Sequence, residues 1–411
     1  MLRRFFSSEI NISKKSFLAT FILVFNTLTW FYMITTILFN ILNDINITQS
    51  EIVLVLSVHY ATIVGSSLTG PFFSKKMGRL NFLLLWMGLG AALSSIPTLF
   101  KINTFTESLT LSVIWAISFG IGMPSSLSYF AESTSIENRG RIGGVIYLTI
   151  NLGAFTFEFL FRALNPIGHP IISAIWRGLG LIIFFSLKPI TDTQRKNLNF
   201  GSILHNKSFI LYQIPWIMFS LVNGLEKPIL ERVFGAIFYD LVVIEFIVGS
   251  FCAIIAGLFL DLIGRKRVAV LGFATLGLAY ALLSIAPTTT AFWYFYSIID
   301  GVAWGIFSVI FIMVIWGDLA QGMIGDKCYV IGGIPYFFSY IIQLLLSPYL
   351  LAIPDYAAFS LATFFLFVAV LPLIYAPETL PEKKIELRRM RGYIEQAKKI
   401  RDERLKKSRD S

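Results

Sequence analysis

The sequence predicts an all-α polytopic membrane protein of twelve transmembrane helices, arranged as two related six-helix bundles. The first observation is composition: 56% of the 411 residues are hydrophobic and only 14% are charged, whereas a soluble domain carries about 25% charged residues. The second is an internal repeat at an offset of 186 residues. Gly78-Arg79 returns as Gly264-Arg265, and Glu132 returns as the acidic Asp318. Long apolar runs flank each copy of these short motifs.

Apolar runs of roughly 20 residues can cross a hydrocarbon core of about 30 Å as helices. The first six predicted spans are 16–42, 50–73, 80–100, 107–131, 142–163 and 168–187. The second six are 209–225, 240–260, 268–286, 291–316, 328–350 and 356–376.

Basic residues occupy alternate loops between these spans, which is the pattern of cytoplasmic loops in membrane proteins. The basic positions include Lys14, Lys75, Arg139, Lys207 and Arg265, together with a densely basic C-terminal tail. Lys101, Arg162, Lys227 and Arg232 are exceptions. An even number of spans with both termini in the cytoplasm satisfies this distribution. The net charge of +10 lies in these loops and the tail, so we expect a membrane protein that binds no nucleic acid. We expect it to be located in the plasma membrane.

Residues 188–208 form the only sizeable polar stretch inside the hydrophobic body, so we predict the domain boundary there. The predicted organisation is a cytoplasmic N-terminus (1–15), an N-terminal bundle (16–187), a cytoplasmic linker (188–208), a C-terminal bundle (209–376) and a basic tail (377–411). Residues 381–407 carry apolar positions at helical spacing, which suggests an amphipathic helix on anionic inner-leaflet lipids. The alternative is a solvated tail that sets topology.

One loop carries a family resemblance. The segment Gly257-Leu-Phe-Leu-Asp261-Leu-Ile-Gly264-Arg265-Lys266-Arg267 resembles the signature loop of the major facilitator superfamily, which lies after the second and the eighth helix. The resemblance implies a transporter of two six-helix bundles. In the first-half copy Lys75 occupies the acidic position, so the carboxylate that resembles a latch to a neighbouring helix end is missing there.

Two shorter segments resemble the sugar porter branch of that family. Glu132-x6-Arg139-Gly140 is similar to the segment after its fourth helix, and Pro377-Glu378-Thr379 to the segment after its twelfth. The second-half counterpart keeps Asp318, but Gly325 stands at the arginine position. The amide-rich seventh helix of sugar porters is absent, so sugar specificity rests on two short loops.

The acid in an otherwise basic loop has a physical interpretation of its own. Asp261 at a helix end can accept hydrogen bonds from backbone N–H groups or from a basic partner on the other bundle. A contact of this kind can form in one access state and break in the other, which biases the equilibrium between them. The alternative is that the charge only fixes topology and the helix end.

Ionisable residues at membrane depth are costly and are therefore candidates for function. Asp300 lies midway along the tenth span, where a low dielectric constant favours the protonated form of a carboxyl group. We expect it to couple transport to protons or to contact the substrate; a structural ion pair is the alternative. His59 in the second span and Glu245 in the eighth are related by the same repeat offset. The alternative for His59 is a plain hydrogen bond to a neighbour.

Four further charges lie in or beside the spans. Glu158 and Arg162 are one helical turn apart on the fifth span and are close enough to pair. With Asp240 at the start of the eighth span, they are candidates for an outer gate or for a static surface bridge. Glu158 is also a candidate for proton coupling or substrate contact. Arg177 lies near the centre of the sixth span. We expect it to be structural, with Glu158 as the candidate partner.

A set of polar or amphipathic residues lies in spans that are expected to surround a central cavity. They are Trp30, Asn151, Gln213, Trp216, Asn223, Trp304, Tyr336 and Gln343. Aromatic walls with a few amides suit an organic solute.

These observations favour a secondary transporter of a small organic solute, with a proton as the coupling ion. The alternatives are an uncoupled facilitator and a non-transporting membrane sensor. The sequence contains no G-x-x-x-x-G-K-[S/T] loop and no H-E-x-x-H motif, so it gives no basis for an ATP-driven engine of that type or a metal-dependent membrane enzyme. We expect no enzymatic activity, no cofactor and no metal. Since one chain holds both halves, we expect a functional monomer.

Overall fold

The computed structural model describes residues 13–189 and 198–381. Residues 382–411, which hold most of the predicted amphipathic tail helix, lie outside the described residues. The same is true of residues 1–12 and of 190–197, the middle of the predicted linker. The domain boundaries at 188–208 therefore stay a prediction.

The first half of the chain forms six long helices, each joined to the next by a short connection. They are α1 Lys14–Asp44, α2 Gln49–Met77, α3 Arg79–Ser94, α4 Phe105–Ser133, α5 Arg139–Ala163 and α6 His169–Ser186. Helices α2 and α4 begin with capping boxes, in which Thr48 and Thr104 exchange hydrogen bonds with Glu51 and Glu107. Such boxes satisfy backbone N–H groups that a helix start leaves unpaired.

The second half repeats this arrangement. Its helices are α7 Lys207–Phe234, α8 Phe238–Ile263, α9 Arg265–Ile285, α10 Thr290–Phe307, α11 Asp326–Leu350 and α12 Asp355–Val368. Helix α10 continues through a π-helical stretch, Ser308–Val314, into the turn Ile315–Leu319. Eleven stretches of the described residues are long and apolar enough to cross a membrane, and one of them, Lys207–Ile263, contains both α7 and α8. The predicted multi-pass all-α fold is confirmed.

The seventh span is longer than predicted. The apolar run ends at Leu225 because Glu226 and Lys227 follow, but α7 continues to Phe234. The Glu226 side chain is buried within the protein, and lipid therefore does not solvate it. Charged residues inside a span are tolerated when they face protein rather than hydrocarbon.

The repeated glycines of the charged motifs have a backbone reason. Gly78 ends α2 with φ 78°, and Gly264 ends α8 with φ 103°. Positive φ angles of this kind strain any residue that carries a Cβ atom. Each glycine allows the chain to turn at once into the following helix, which places Arg79 and Arg265 at the first position of α3 and α9.

Helix packing follows the same pattern in both halves. Within the first half α2 packs against α4 and α3 against α6; within the second, α8 packs against α10 and α9 against α12. The two halves meet along α5 with α8 and along α2 with α11. These interfaces correspond to each other under the sequence repeat, so the whole molecule is built from two related bundles.

The α5–α8 interface depends on small residues. A Cβ atom at Gly257 would collide with the backbone oxygen of Gly140, and one at Gly144 would collide with that of Ala253. Close backbone approach through small residues is the usual way in which membrane helices associate, because lipid provides no hydrophobic drive between them. The two halves therefore touch here backbone to backbone.

Gly257→Ala is expected to lower the thermal unfolding temperature, because the new methyl group has no room against Gly140 and overpacking costs about 1–3 kcal/mol. The matched control is Gly178→Ala on α6, where a Cβ atom meets nothing within 4 Å. It should leave the temperature unchanged or raise it, since alanine is the better helix former. Unfolding of the detergent-purified protein, followed by intrinsic tryptophan fluorescence, measures both. Equal temperatures for the two variants would contradict this packing.

Candidate functional site

A cavity of about 440 Å³ lies between the two halves. Its walls come from α1, α2, α4 and α5 of the first half and from α7, α8, α10 and α11 of the second, including the π-helical continuation of α10. Aromatic side chains dominate the walls. A volume of this size accommodates a drug-sized organic molecule.

The structure places four of the eight predicted lining residues on the cavity wall: Asn151, Trp216, Trp304 and Tyr336. Trp30 is fully buried, and its indole N–H donates to the Ser94 hydroxyl at 2.7 Å. The Gln213 amide donates to the backbone oxygen of Ile331 at 3.0 Å. These two, with Asn223 and Gln343, do not belong to the lining.

Several aromatic residues of the cavity are not among the predicted ones. Tyr60 of α2 and Tyr340 of α11 stack across the two halves with ring centroids 4.9 Å apart. Phe31 stacks on Phe119 at 4.0 Å and meets Phe337 of the other half edge to face at 6.0 Å. The concentration of aromatic residues between 329 and 340 is the sequence signal that could have indicated this wall.

The side of the molecule at the ends of α2, α4, α8 and α10, here called the motif side, is crossed by buried ion pairs. Arg79 at the start of α3 forms ion pairs with Glu132 of its own half and with Asp326 at the start of α11. The Ser125 hydroxyl of α4 donates to Asp326 at 2.7 Å. Asp326 therefore joins the two halves through both α3 and α4.

Asp326 changes the interpretation of the first-half motif. Lys75, at the position of the missing acid, is exposed. The acid at this interface comes from the other half of the chain, where Asp326 at the start of α11 pairs with Arg79. Under the 186-residue repeat, Asp326 corresponds to Gly140 at the start of α5. This correspondence is the sequence signal that could have indicated a role for Asp326.

In the second half the acid stays at the predicted place. Asp261 at the end of α8 accepts hydrogen bonds from the backbone N–H groups of Gly140 at 3.0 Å and Arg141 at 2.9 Å. It also pairs with the side chains of Arg141 and Arg265, at 3.2 and 3.4 Å. A carboxylate at a helix start is stabilised by the unpaired N–H groups and by the helix dipole. Asp261 thus holds α5 to α8 across the halves.

Asp318 pairs with arginines of both halves on the motif side. It pairs with Arg139 of the first half and, at 2.9 Å, with Arg265 of its own half. The Thr379 hydroxyl donates to it at 3.0 Å, and Glu378 accepts from the backbone N–H of Arg265 at 2.9 Å. The predicted charged motif residues therefore lie in two groups of ion pairs, one around Arg79 and one around Asp318 and Arg265. Together these groups form the network that closes the motif side in this conformation.

Asp326→Asn is expected to open the motif side. It removes one cross-half ion pair, while Arg79 keeps Glu132 as a partner and is not left unpaired. A loss of about 1.4 kcal/mol changes the ratio of closed to open molecules tenfold. Pulsed electron paramagnetic resonance between spin labels at Lys76→Cys and Arg267→Cys, both exposed on this side, should show a longer distance population.

The labelled variants need Cys252→Ser and Cys328→Ala, since these are the native cysteines. The matched control is Asp355→Asn, which breaks the Arg232–Asp355 ion pair between α7 and α12 within one half. It should leave the distance distribution as in the parent. A distribution unchanged by Asp326→Asn would contradict the latch.

A group of acids and tyrosines lies inside the second half. Asp300 is buried on α10 and accepts a hydrogen bond from the Tyr296 hydroxyl at 3.2 Å, which in turn contacts the Tyr280 hydroxyl at 2.9 Å. Glu245 of α8 lies next to Asp300, close enough for the two carboxyl groups to interact, and it lines the cavity. The structure thus brings two of the predicted proton-coupling residues together.

Glu226 of α7 belongs to the same region and is absent from the predicted site. It is only 6% exposed, one of its carboxyl oxygens has no hydrogen-bond partner, and it interacts electrostatically with Tyr280. Its position at the end of an apolar run makes it look like a loop residue in the sequence. Its burial within the protein changes that interpretation.

His59 occupies the repeat-related position in the first half, away from the cavity wall. It is buried, its Nδ1 atom contacts the backbone oxygen of Ser112 at 3.1 Å, and its Nε2 atom has no partner. The α2–α4 contact of His59 therefore corresponds to the α8–α10 contact of Glu245 with Asp300. A role for His59 in coupling stays a prediction.

The predicted partner of Arg177 is wrong. Its fully buried guanidinium group lies between the rings of Trp30 and Trp86, 4.6 and 4.3 Å from their centroids. It donates to the Asn26 side-chain oxygen at 2.8 Å and to the Thr27 hydroxyl at 3.1 Å. Aromatic faces and neutral oxygens surround the cation in place of a carboxylate, while its Nε and Nη2 atoms have no hydrogen-bond partner among the described residues.

Glu158 pairs with Arg162 one turn away at 3.0 Å and also accepts from the Tyr32 hydroxyl at 3.4 Å. The Arg162 side chain is 77% exposed. Asp240 is exposed at the start of α8. An outer gate formed by Arg162 and Asp240 stays a prediction, for a conformation in which this end is closed.

Two solved structures are similar to this chain over most of its length. The human organic anion transporter MFSD10 (TETRAN) matches with a TM-score of 0.63 at 15% identity, over 88% of this chain and 99% of the other. The major facilitator superfamily proton:xylose symporter XylE, bound to 6-bromo-6-deoxy-D-glucose, matches with a TM-score of 0.67 at 14% identity, over 89% and 96%.

This chain has the major facilitator superfamily fold. No protein-family model and no curated protein matches its sequence. The structural similarity confirms the fold that the motif at Gly257–Arg267 predicts. The cavity of this chain lies between the two halves, and the Gly78-Arg79 and Gly264-Arg265 motifs lie on the motif side.

Proposed function

We propose that the protein is a secondary active transporter that moves a small organic solute by alternating access. The observation that carries this proposal is the position of the cavity between two bundles that ion pairs hold together at one side. Such pairs, at Asp261, Asp318 and Asp326, can break without unfolding either bundle. Sites between related bundles are where transporters bind their substrates.

The conformation supports the same proposal. The network closes the motif side, and the basic loops assign that side to the cytoplasm by the positive-inside rule. The cavity is then shielded from the cytoplasm, as in the state that receives or releases solute on the opposite side. Location in the plasma membrane and function as a monomer are parts of this proposal.

The coupling ion that we propose is a proton. Glu245 and Asp300 lie next to each other in surroundings shielded from water, and two adjacent carboxyl groups in such a place are most stable when they share a proton. Glu245 reaches the cavity wall, so the state of this pair and the occupancy of the cavity influence each other. Asp300, buried behind it, is the proposed proton carrier.

Asp300→Asn is expected to abolish proton-coupled movement of solute while binding persists, because an amide cannot exchange a proton with the cavity. Solute-evoked currents of proteoliposomes on a supported membrane, under an imposed pH gradient, measure this across sugars, organic acids, amino acids and drugs. A tracer uptake assay covers electroneutral exchange.

The matched control is Glu51→Gln, a carboxyl-to-amide change in the α2 capping box, where glutamine keeps the box. It should leave the currents as in the parent. Uptake that does not depend on the pH gradient would contradict proton coupling and would indicate an uncoupled facilitator. Ligand binding without any current or uptake would point to a sensor.

A further inference from the structure

The cavity wall has an acidic side chain and no basic one among the residues that the structure describes. Among the residues that line the cavity, Glu245 carries a carboxyl group, and none is a lysine, an arginine or a histidine. Lys227 of α7 interacts electrostatically with Glu245, but its side chain is exposed and outside the lining. The Glu245–Asp300 pair keeps one negative charge when it shares a proton. An anion that entered would lose its hydration and meet this charge at low dielectric constant, where repulsion between like charges is strong.

The aromatic walls favour positive charge as well. Trp216 lies parallel to Tyr336 with ring centroids 6.3 Å apart, and Trp304 stands at 85° to Tyr336 at the same distance. The faces of tryptophan and tyrosine rings attract cations within about 6 Å of the centroid, and most strongly in a desolvated site. The wall therefore offers both a carboxylate and a set of π faces.

Four polar groups of the wall have their own partners within the protein. The indole N–H of Trp216 donates to the Gly332 oxygen at 2.8 Å, and that of Trp316 to the Phe311 oxygen at 2.5 Å. The Tyr329 hydroxyl donates to the Met313 oxygen at 2.6 Å, and the Asn151 amide donates to Ser250 at 2.9 Å. A sugar needs many free hydrogen-bonding groups in its site, since each unpaired hydroxyl is costly to bury.

We propose that the cavity binds a lipophilic organic cation that carries aromatic rings, with Glu245 as the counter-ion and Trp216, Trp304 and Tyr336 as the aromatic faces. This assignment names the substrate class of the transporter proposed above and rests on that function. It differs from the anion and the sugar that the two structurally similar proteins are named for. It also separates two roles: Glu245 touches the solute, and Asp300 lies behind it.

The test uses two ions of the same shape and opposite charge, tetraphenylphosphonium and tetraphenylborate. Each is titrated separately into the purified full-length protein in detergent, and binding is followed by quenching of tryptophan fluorescence, with protein-free micelles as the blank. We expect saturable binding of the phosphonium cation that is at least tenfold tighter than that of the borate anion.

Glu245→Gln should weaken binding of the phosphonium at least tenfold and reduce the difference between the two ions to less than threefold. Glu245→Asp should retain the preference for the cation. The matched control is Glu107→Gln in the capping box of α4, which should bind like the parent. Equal or tighter binding of the borate, or phosphonium binding that Glu245→Gln leaves unchanged, would overturn the proposal.

A second variant keeps the test decisive if Glu245→Gln fails to fold by size-exclusion chromatography. Trp304→Leu removes an aromatic face without changing charge, and it should weaken the phosphonium several-fold; unchanged affinity would contradict the aromatic site. Binding does not require transport, so the two proposals fail separately. Cation binding without current or uptake would refute the transporter alone, and sugar-evoked currents without cation binding would refute the substrate class alone.

Discussion

The architecture depends on the pairing of buried charges between the two bundles at the motif side. Arginines and carboxylates that are shielded from water are costly without partners, and on the motif side the buried arginines pair with carboxylates. Arg139 finds Asp318, and Arg79 finds Asp326, each in the other half of the chain. The closed motif side, the shielding of the cavity and the relative position of the bundles all follow from these pairs.

The two interfaces between the halves reach this result with opposite arrangements of charge. At α5–α8 the acid, Asp261, ends one helix and caps the start of the next bundle's helix. At α2–α11 the acid, Asp326, is at the start of α11, and the arginine is across from it. The repeat thus preserves the interaction between the halves while the residue that supplies the negative charge moves. The first-half motif lacks its acid in the sequence, yet an ion pair between the halves is still formed there.

Charges within the bundles follow different rules. Arg177 lies between two indole faces and donates to two neutral oxygens inside the first half, so α6 is held to α1 and α3 without a carboxylate. The acids of the second half remain clustered beside the cavity, where Glu245 and Asp300 lie together. The second half therefore carries the acids that we assign to solute and proton.

The sequence alone determined the twelve spans, their repeat and the motif residues, because length, hydropathy and short charged signals are local properties of the chain. Only the tertiary structure decided which faces turn inward. Trp30 and Trp216 look alike in sequence, yet one packs inside the first half and the other lines the cavity. Lipid is as apolar as the protein interior, so a transmembrane helix shows little contrast between its faces. The role of Asp326 could not be predicted from the sequence either. Its partner Arg79 lies 247 residues away in the chain, and a local sequence pattern does not show a contact at that separation.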